Sequence, residues 1–214
     1  METISRHYNE KYFRWQRKRG EFAGWASLKK FEKYITPDSE VLDFGCGGGF
    51  LLKNLNCKKK VGVEVNPAAQ KAARENQIEV YAKTEDIPED YVDIIISDHC
   101  LEHVLHPLYE LQMLYKVLRR RGKIIFCVPC ESVKYAYVPD NISQHLYSWS
   151  PMCLGNLFTE AGFKVIESKP YWLKNPPFSR MIAKIGGRAL FDILAWLNAR
   201  ITQEDIEVII AGCK

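Results

Sequence analysis

The chain has no apolar stretch at its start, where METISRHYNE is polar, so no secretory leader is expected. Its latest helical stretch carries Arg180, Lys184, Arg188, Asp192 and Arg200, which excludes a membrane-spanning helix there. No second C-x-x-C accompanies Cys127 and Cys130, so a four-ligand zinc site cannot be completed and burial of that pair is the simpler reading. Seven cysteines, an odd number without a leader, point to reduced thiols and a cytoplasmic setting. Internal repeats and low-complexity linkers are absent, and that leaves one domain as the economical organisation.

What is present is ample apolar material. At 214 residues and 47% apolar composition the chain can bury a sizeable core. The formal charge of +4 is unevenly placed: residues 1–33 hold nine Lys and Arg against four Asp and Glu, leaving −1 on the remainder. Such an arm could attract an anionic partner, although scattered Lys and Arg are more often a solvated helix face. Strand-like runs fall at 41–44, 61–65, 78–82, 92–97 and 123–128, with helical stretches at 50–56, 67–76 and 107–118 between them. That alternation predicts a parallel sheet covered on both faces, and three consecutive isoleucines, Ile94, Ile95 and Ile96, suit a strand buried on both sides. A loop is expected over 129–150, a helix over 151–161, and further strands at 164–168 and 206–211.

The most informative segment is VLDFGCGGG at 41–49. An apolar run ends in an acid, Asp43, and turns through Gly45, Gly47 and Gly49 into a helix-compatible stretch. Glycine lets backbone approach a bound nucleotide closely. Glu64 closes the next apolar run 21 residues after Asp43, where a carboxylate can accept both ribose hydroxyls. A dinucleotide fingerprint would need glycine at 50, which is Phe50, so NAD is disfavoured. A Tyr-x-x-x-Lys pair near a helix is also lacking, which further weakens an NAD(P)-dependent oxidoreductase.

These residues resemble the first motif of the class I S-adenosylmethionine-dependent methyltransferases, with Glu64 matching their ribose acid. The resemblance covers roughly 36–170 plus the final strand. It implies an α/β, Rossmann-like three-layer sandwich with a seven-stranded, mostly parallel sheet whose last strand is antiparallel, plus an extra helical segment before that strand. The chain is read as one such domain over 1–214, with a basic helical arm at 1–35 and a helical insertion at 170–203. S-adenosylmethionine is the implied cofactor. The implied cofactor residues are Asp43, Gly45, Gly47 and Gly49, with Cys46 as a small side chain in the loop; Glu64 and Val65; Thr84 and Glu85 after the third strand; and Asp98 and His99 after the fourth. Aromatic residues ahead of the motif cover the methionine part in this family, which makes Tyr8, Tyr12 and Arg14 candidates. Lys83 stands where the family usually has an acid for the adenine.

A methyl acceptor bearing a hydroxyl needs a base. His145, in QHLYSWSP, is the first candidate because an imidazole ionises near neutral pH, and His103 is the second. Tyr147 and Trp149 are candidate pocket walls. His99, Glu102 and His103 at i, i+3 and i+4 would share a helix face, and a related E-x-x-E-H in ubiquinone-pathway enzymes is implicated in cation binding. Nothing in the sequence supplies the remaining ligands, so no metal is expected. Oxygen of a small or sugar-like acceptor is the expected target, a glycan or nucleotide-sugar, by general resemblance to small glycan-pathway methyltransferases; RNA, quinone and lipid acceptors remain alternatives. Arg119, Arg120 and Arg121 are expected to end a helix rather than bind RNA, and nucleic acid is not the expected partner. A non-catalytic binding module is the rival of another class. From Leu190 the apolar positions 190, 193, 194, 197 and 201 form a helical stripe, with packing on the domain, a lid or dimer contact, and peripheral contact with a membrane through 178–201 as competing uses.

Overall fold

The computed structural model describes residues 9–132, 134–139, 141–202 and 206–214. Seven strands form one sheet: β1 (Glu40–Phe44), β2 (Lys59–Val63), β3 (Glu79–Tyr81), β4 (Val92–Asp98), β5 (Leu118–Cys130), β6 (Lys164–Tyr171) and β7 (Ile206–Cys213), in the order β3-β2-β1-β4-β5-β7-β6. Only β7 runs against its neighbours, pairing antiparallel with both β5 and β6. The expected α/β sandwich with its reversed last strand is what the chain forms.

Alternation along the strands divides the core. Leu42, Ile95, Ile124 and Phe126 pack on one face under the helices α5 (Pro107–Val117) and α6 (Pro151–Glu160). Val41, Ile94, Ile96 and Ile125 pack on the other, beneath α2 (Leu28–Phe31), α3 (Phe50–Asn54) and α4 (Pro67–Glu75). The isoleucine triplet thus serves both faces. Helix starts follow local chemistry: Asn66 caps α4 and Ser150 caps α6 through side-chain acceptors, each with proline in the first turn.

The N-terminal stretch forms α1 (Glu10–Ala26), capped by Asn9, whose Oδ1 accepts from the backbone of Lys11 and Tyr12. This helix crosses α3 at Gly20 and Gly24. A Cβ on Gly24 would lie 2.4 Å from the carbonyl carbon of Phe50, so the two backbones are nearly in contact. α7 (Ser179–Thr202) breaks at Gly187, whose φ of 64° and ψ of −162° are not helical. Its Phe191 is fully buried against Phe22 and Trp25 of α1, a burial that contributes about 1.5–3 kcal/mol.

Two local expectations are corrected. Arg119, Arg120 and Arg121 lie in β5 rather than at a helix end, because α5 stops at Val117 and Arg119 is held in the sheet by Asp93 and Glu40, each at 3.0 Å. The stretch from His99 to His103 is not an α-helix: His99 has a φ of 56°, and only a 3-10 turn, Leu101–His103, follows.

Candidate active site

Two cavities open beyond the carboxyl ends of β1, β2 and β4, the place where open α/β sheets bind ligands. The first, of about 370 Å³, is walled by Gly45, Glu64 and Val65, by Thr84 and Glu85, and by Tyr109. The second, of about 520 Å³, is walled by Lys30, Asp98, Glu102, His145 and Glu207, among others. Tyr12, Gln16, His99 and His103 line both and form the partition between them.

The first cavity follows from the glycine turn. Gly45 sits at a φ of 80°, and a Cβ there would lie 2.3 Å from the sulfur of Cys100. Gly47, at a φ of 54°, donates its N–H to Glu64 Oε2 at 2.9 Å, while Asn66 N–H donates to Oε1 at 2.8 Å. Both oxygens of Glu64 are thereby fixed, and each keeps a lone pair for a further donor. Burial pushes the Glu64 carboxyl up. Asp43 is buried at the end of β1, and its carboxyl is raised by desolvation and then by Asp98 and Glu64. Burial, reinforced by Glu64, pushes the Tyr12 hydroxyl up to about 12. Several acids, with no Lys or Arg in the glycine loop, suit a cationic ligand with a diol. S-adenosylmethionine has both features, and the residues present fit it.

At the far end, Thr84 Oγ1 donates to Glu110 Oε2 at 2.8 Å and the Tyr109 hydroxyl donates to Glu85 Oε1 at 2.8 Å. Cys46 is buried beneath the loop, against Gly62 of β2, and does not line the cavity. Gly49 caps α3 and faces Ile78. Arg14 stands away from both cavities, paired with Glu10 at 3.2 Å. Tyr8 lies outside the described residues.

Asp98 belongs to the second cavity. Its carboxylate accepts from Ser27 Oγ at 2.6 Å and from Lys30 Nζ at 2.8 Å. Lys30 also reaches Glu207 at 2.8 Å, and Glu207 meets His99 Nε2 at 2.6 Å. Burial acts to lower the Lys30 ammonium, but Asp98, Cys127 and Glu207 together outweigh it and hold Lys30 well above its ordinary value. Burial likewise opposes protonation of His99, and the bonds to Glu102 and Glu207 overcome it, raising His99 to about 10.

His103 and His145 meet at the same wall, their rings 4.9 Å apart and T-shaped. His145 Nδ1 lies 2.7 Å from Glu131 Oε1, which orients the ring and leaves Nε2 as the proton acceptor when the ring is neutral. Burial pushes His103 down, towards the neutral form. Glu102 is fully buried; His99 Nδ1 stands 3.4 Å and His103 Nε2 3.7 Å from its Oε1. Glu102, His103 and His145 each offer a ligand atom within 4.8 Å of the others. Trp149 is buried in the core, and Tyr147 stacks on it at 5.3 Å while its hydroxyl donates to Leu105 O, so neither lines these cavities.

Sequence reasoning missed Gln16, Lys30 and Glu207. For Gln16 and Lys30 there was no signal among the other polar residues of a basic arm; an acid inside the apolar run IEVII was a signal for Glu207.

Sheet order, glycine turn and ribose-type carboxylate define a class I nucleoside-cofactor fold. A family model described as a methyltransferase domain matches residues 8–168. The chain belongs to that family, the class I S-adenosylmethionine-dependent methyltransferases. Curated relatives include the ribosomal protein L11 methyltransferase of Thermosipho africanus, 29% identical over 140 residues, 60% of this chain and 53% of that protein. The protein of the same name from Cellvibrio japonicus is 34% identical over 119 residues, 48% of this chain and 39% of that one. The chain thus spans about half or less of these relatives. Among solved structures, a S-adenosylmethionine-dependent methyltransferase from Archaeoglobus fulgidus superposes with a TM-score of 0.65 at 19% identity, covering 95% of this chain and 99% of that one. A chain of the Haloferax volcanii complex between the Trm112 methyltransferase activator and a methyltransferase gives 0.70 at 17%, covering 94% and 96%. At such identities these likenesses establish the fold alone.

Proposed function

We propose that the enzyme transfers the methyl group of S-adenosylmethionine to a hydroxyl oxygen of a small, polar, sugar-like acceptor held in the second cavity. The observation that carries this reading is the pair of cavities meeting at Tyr12, Gln16, His99 and His103, with the Glu131-oriented imidazole of His145 on the acceptor side. Bound S-adenosylmethionine supplies a methyl carbon on a sulfonium leaving group, so the protein needs only to align the acceptor and remove its proton.

In this reading Glu64 receives the ribose diol, with Gly45, Gly47 and Gly49 giving the backbone room and Asp43 behind them. Val65, Thr84 and Glu85 border the adenine end, and Tyr12 closes over the methionine end. His145 takes the acceptor proton on Nε2 while Glu131 steadies Nδ1, and the neutral His103 beside it is the alternative base. Lys30, Asp98 and Glu207 offer charged hydrogen-bonding groups to a polyhydroxylated acceptor.

A second reading is favoured by the relatives described as ribosomal protein L11 methyltransferases: a protein side chain entering the same cavity as acceptor. Transfer of a labelled methyl group to fractionated extract distinguishes them, since label in the glycan and small-molecule fraction supports the first and label in protein the second. His145→Ala is expected to lower kcat by about a hundredfold or more with the cofactor KM unchanged. Unchanged turnover in both His145→Ala and His103→Ala would remove histidine from the mechanism.

A further inference from the structure

The surface of α7 is inverted relative to an ordinary amphipathic helix. Beyond the break at Gly187 its inward side presents small or polar residues besides Phe191, namely Asp192, Ala195 and Ala199, all buried. Its outward side presents Leu190, Ile193, Trp196, Leu197 and Ile201, which project to solvent with Ile201 80% exposed. Before the break, Phe178, Met181 and Ile185 are spaced i, i+3 and i+7 and are likewise exposed, Ile185 at 78%. Rows of large exposed apolar residues on both sides of the break are rare without something to cover them.

Its charges say what covers it. The acid of the described part of α7, Asp192, is turned inward and neutralised by Arg188 at 3.2 Å and Lys29 at 3.1 Å. Arg180, Lys184 and Arg200 remain at the surface, with Arg200 over the rings of Trp172 and Trp196. Arg180 ties α7 to α1 through the carbonyl of Lys18 at 2.8 Å. There the two helices border a groove of about 940 Å³ lined by Lys11, Arg14, Arg17, Lys18 and Arg180 and by one acid, Glu21, with Arg14 also paired to Glu10. Leu, Ile and Trp on one face, flanked by cations and a cationic groove, match an anionic lipid surface: acyl chains meet the stripe and phosphate headgroups meet the groove. A second copy of the chain would set these cations against one another.

We infer that α7 and the adjoining basic side of α1 form a docking surface for an anionic bilayer, on which the enzyme lies without crossing it. Among the described residues no helix is long and apolar enough to span a membrane. The surface adjoins the second cavity: the backbone N–H of Lys174 donates to Ala195 O, Asn198 bonds the carbonyls of Lys174 and Asn175, and Leu173, Lys174 and Asn175 line that cavity. The inference does not depend on which acceptor atom is methylated.

Sedimentation of the full chain with vesicles tests it. The chain is expected to pellet with vesicles of phosphatidylglycerol and phosphatidylcholine in equal parts, and to stay in solution with phosphatidylcholine alone. Ile193→Glu with Trp196→Glu, and separately Ile185→Glu, are expected to abolish pelleting while leaving circular dichroism and S-adenosylhomocysteine affinity unchanged. Arg17→Ala and Lys184→Ala are each expected to weaken it about fivefold. No pelleting with anionic vesicles, or equal pelleting with neutral ones, overturns the inference. A dimer in sedimentation velocity that the Ile193→Glu, Trp196→Glu variant dissociates, with no vesicle binding, overturns it in favour of a second copy.

Discussion

Glu64 illustrates how much one side chain can do at the edge of a sheet. It takes the N–H of Gly47 on one oxygen and that of Asn66 on the other, so the same carboxylate that would hold a ribose also pins the glycine turn. Glu64→Gln replaces one of these acceptors by a donor facing a donor. Because hydrogen bonds to a charged group are worth about 1.5–3 kcal/mol, S-adenosylhomocysteine should bind about ten- to a hundredfold more weakly by calorimetry. His99 sets a pH response. Its folded value, about 10, lies above the unfolded value of about 6.5, so its contribution to stability is complete below pH 6.5 and drains away as pH rises towards 10. His99→Gln should flatten the loss of stability over that window, read as urea midpoints across pH. A slope unchanged by the substitution would assign the alkaline loss to other groups. Asp43, Gly45, Gly47 and Glu64 were legible in the sequence because a strand-turn-helix cradle is local chemistry. The ring of ions around His99 was not, since Glu207 joins it from the far end of the chain.

At the scale of elements, the alternation of apolar strand runs with helical stretches foretold the sheet, because each buried strand carries its own pattern; the reversal of its last strand followed from the family resemblance alone. Departures occur where contacts overrule pattern. Arg119 extends β5 because Asp93 and Glu40 wait on neighbouring strands, and His99 takes a left-handed backbone where a helix face was expected. The approach of α1 to α3 was also invisible, although it matters for the site: Tyr12 and Gln16, which roof both cavities, ride on α1. Gly24→Ala puts a methyl carbon 2.4 Å from the Phe50 carbonyl carbon, against backbone that cannot swing aside. It should cost about 1–3 kcal/mol, seen as a melting point about 2–10 °C lower. S-adenosylhomocysteine affinity should fall with it, since the roof lifts. A stability loss with affinity intact would show that α1 can shift on α3 without moving Tyr12.

For the whole molecule, the decisive feature is that segments far apart in the chain, α2 and β7, meet at the second cavity. Lys30, on α2, is buried between Asp98 at the tip of β4 and Glu207 on β7. The Lys30 and Glu207 partners are 177 residues apart in sequence. Burial would raise the Glu207 carboxyl, but Lys30 and His99 outweigh it and hold the group far below the usual carboxylate range. Removing the ammonium therefore leaves Asp98 without a cation, and Glu207 with His99 alone, in a poorly solvated place. Lys30→Met should destabilise the protein by about 3–5 kcal/mol in urea titration, more than the loss of any surface pair. Adding Asp98→Asn and Glu207→Gln to Lys30→Met should recover most of that loss, because neither carboxylate is then left buried without its lysine. If the triple variant is instead no more stable than Lys30→Met alone, the loss comes from the missing hydrogen bonds of the ammonium and not from carboxylates left without a cation.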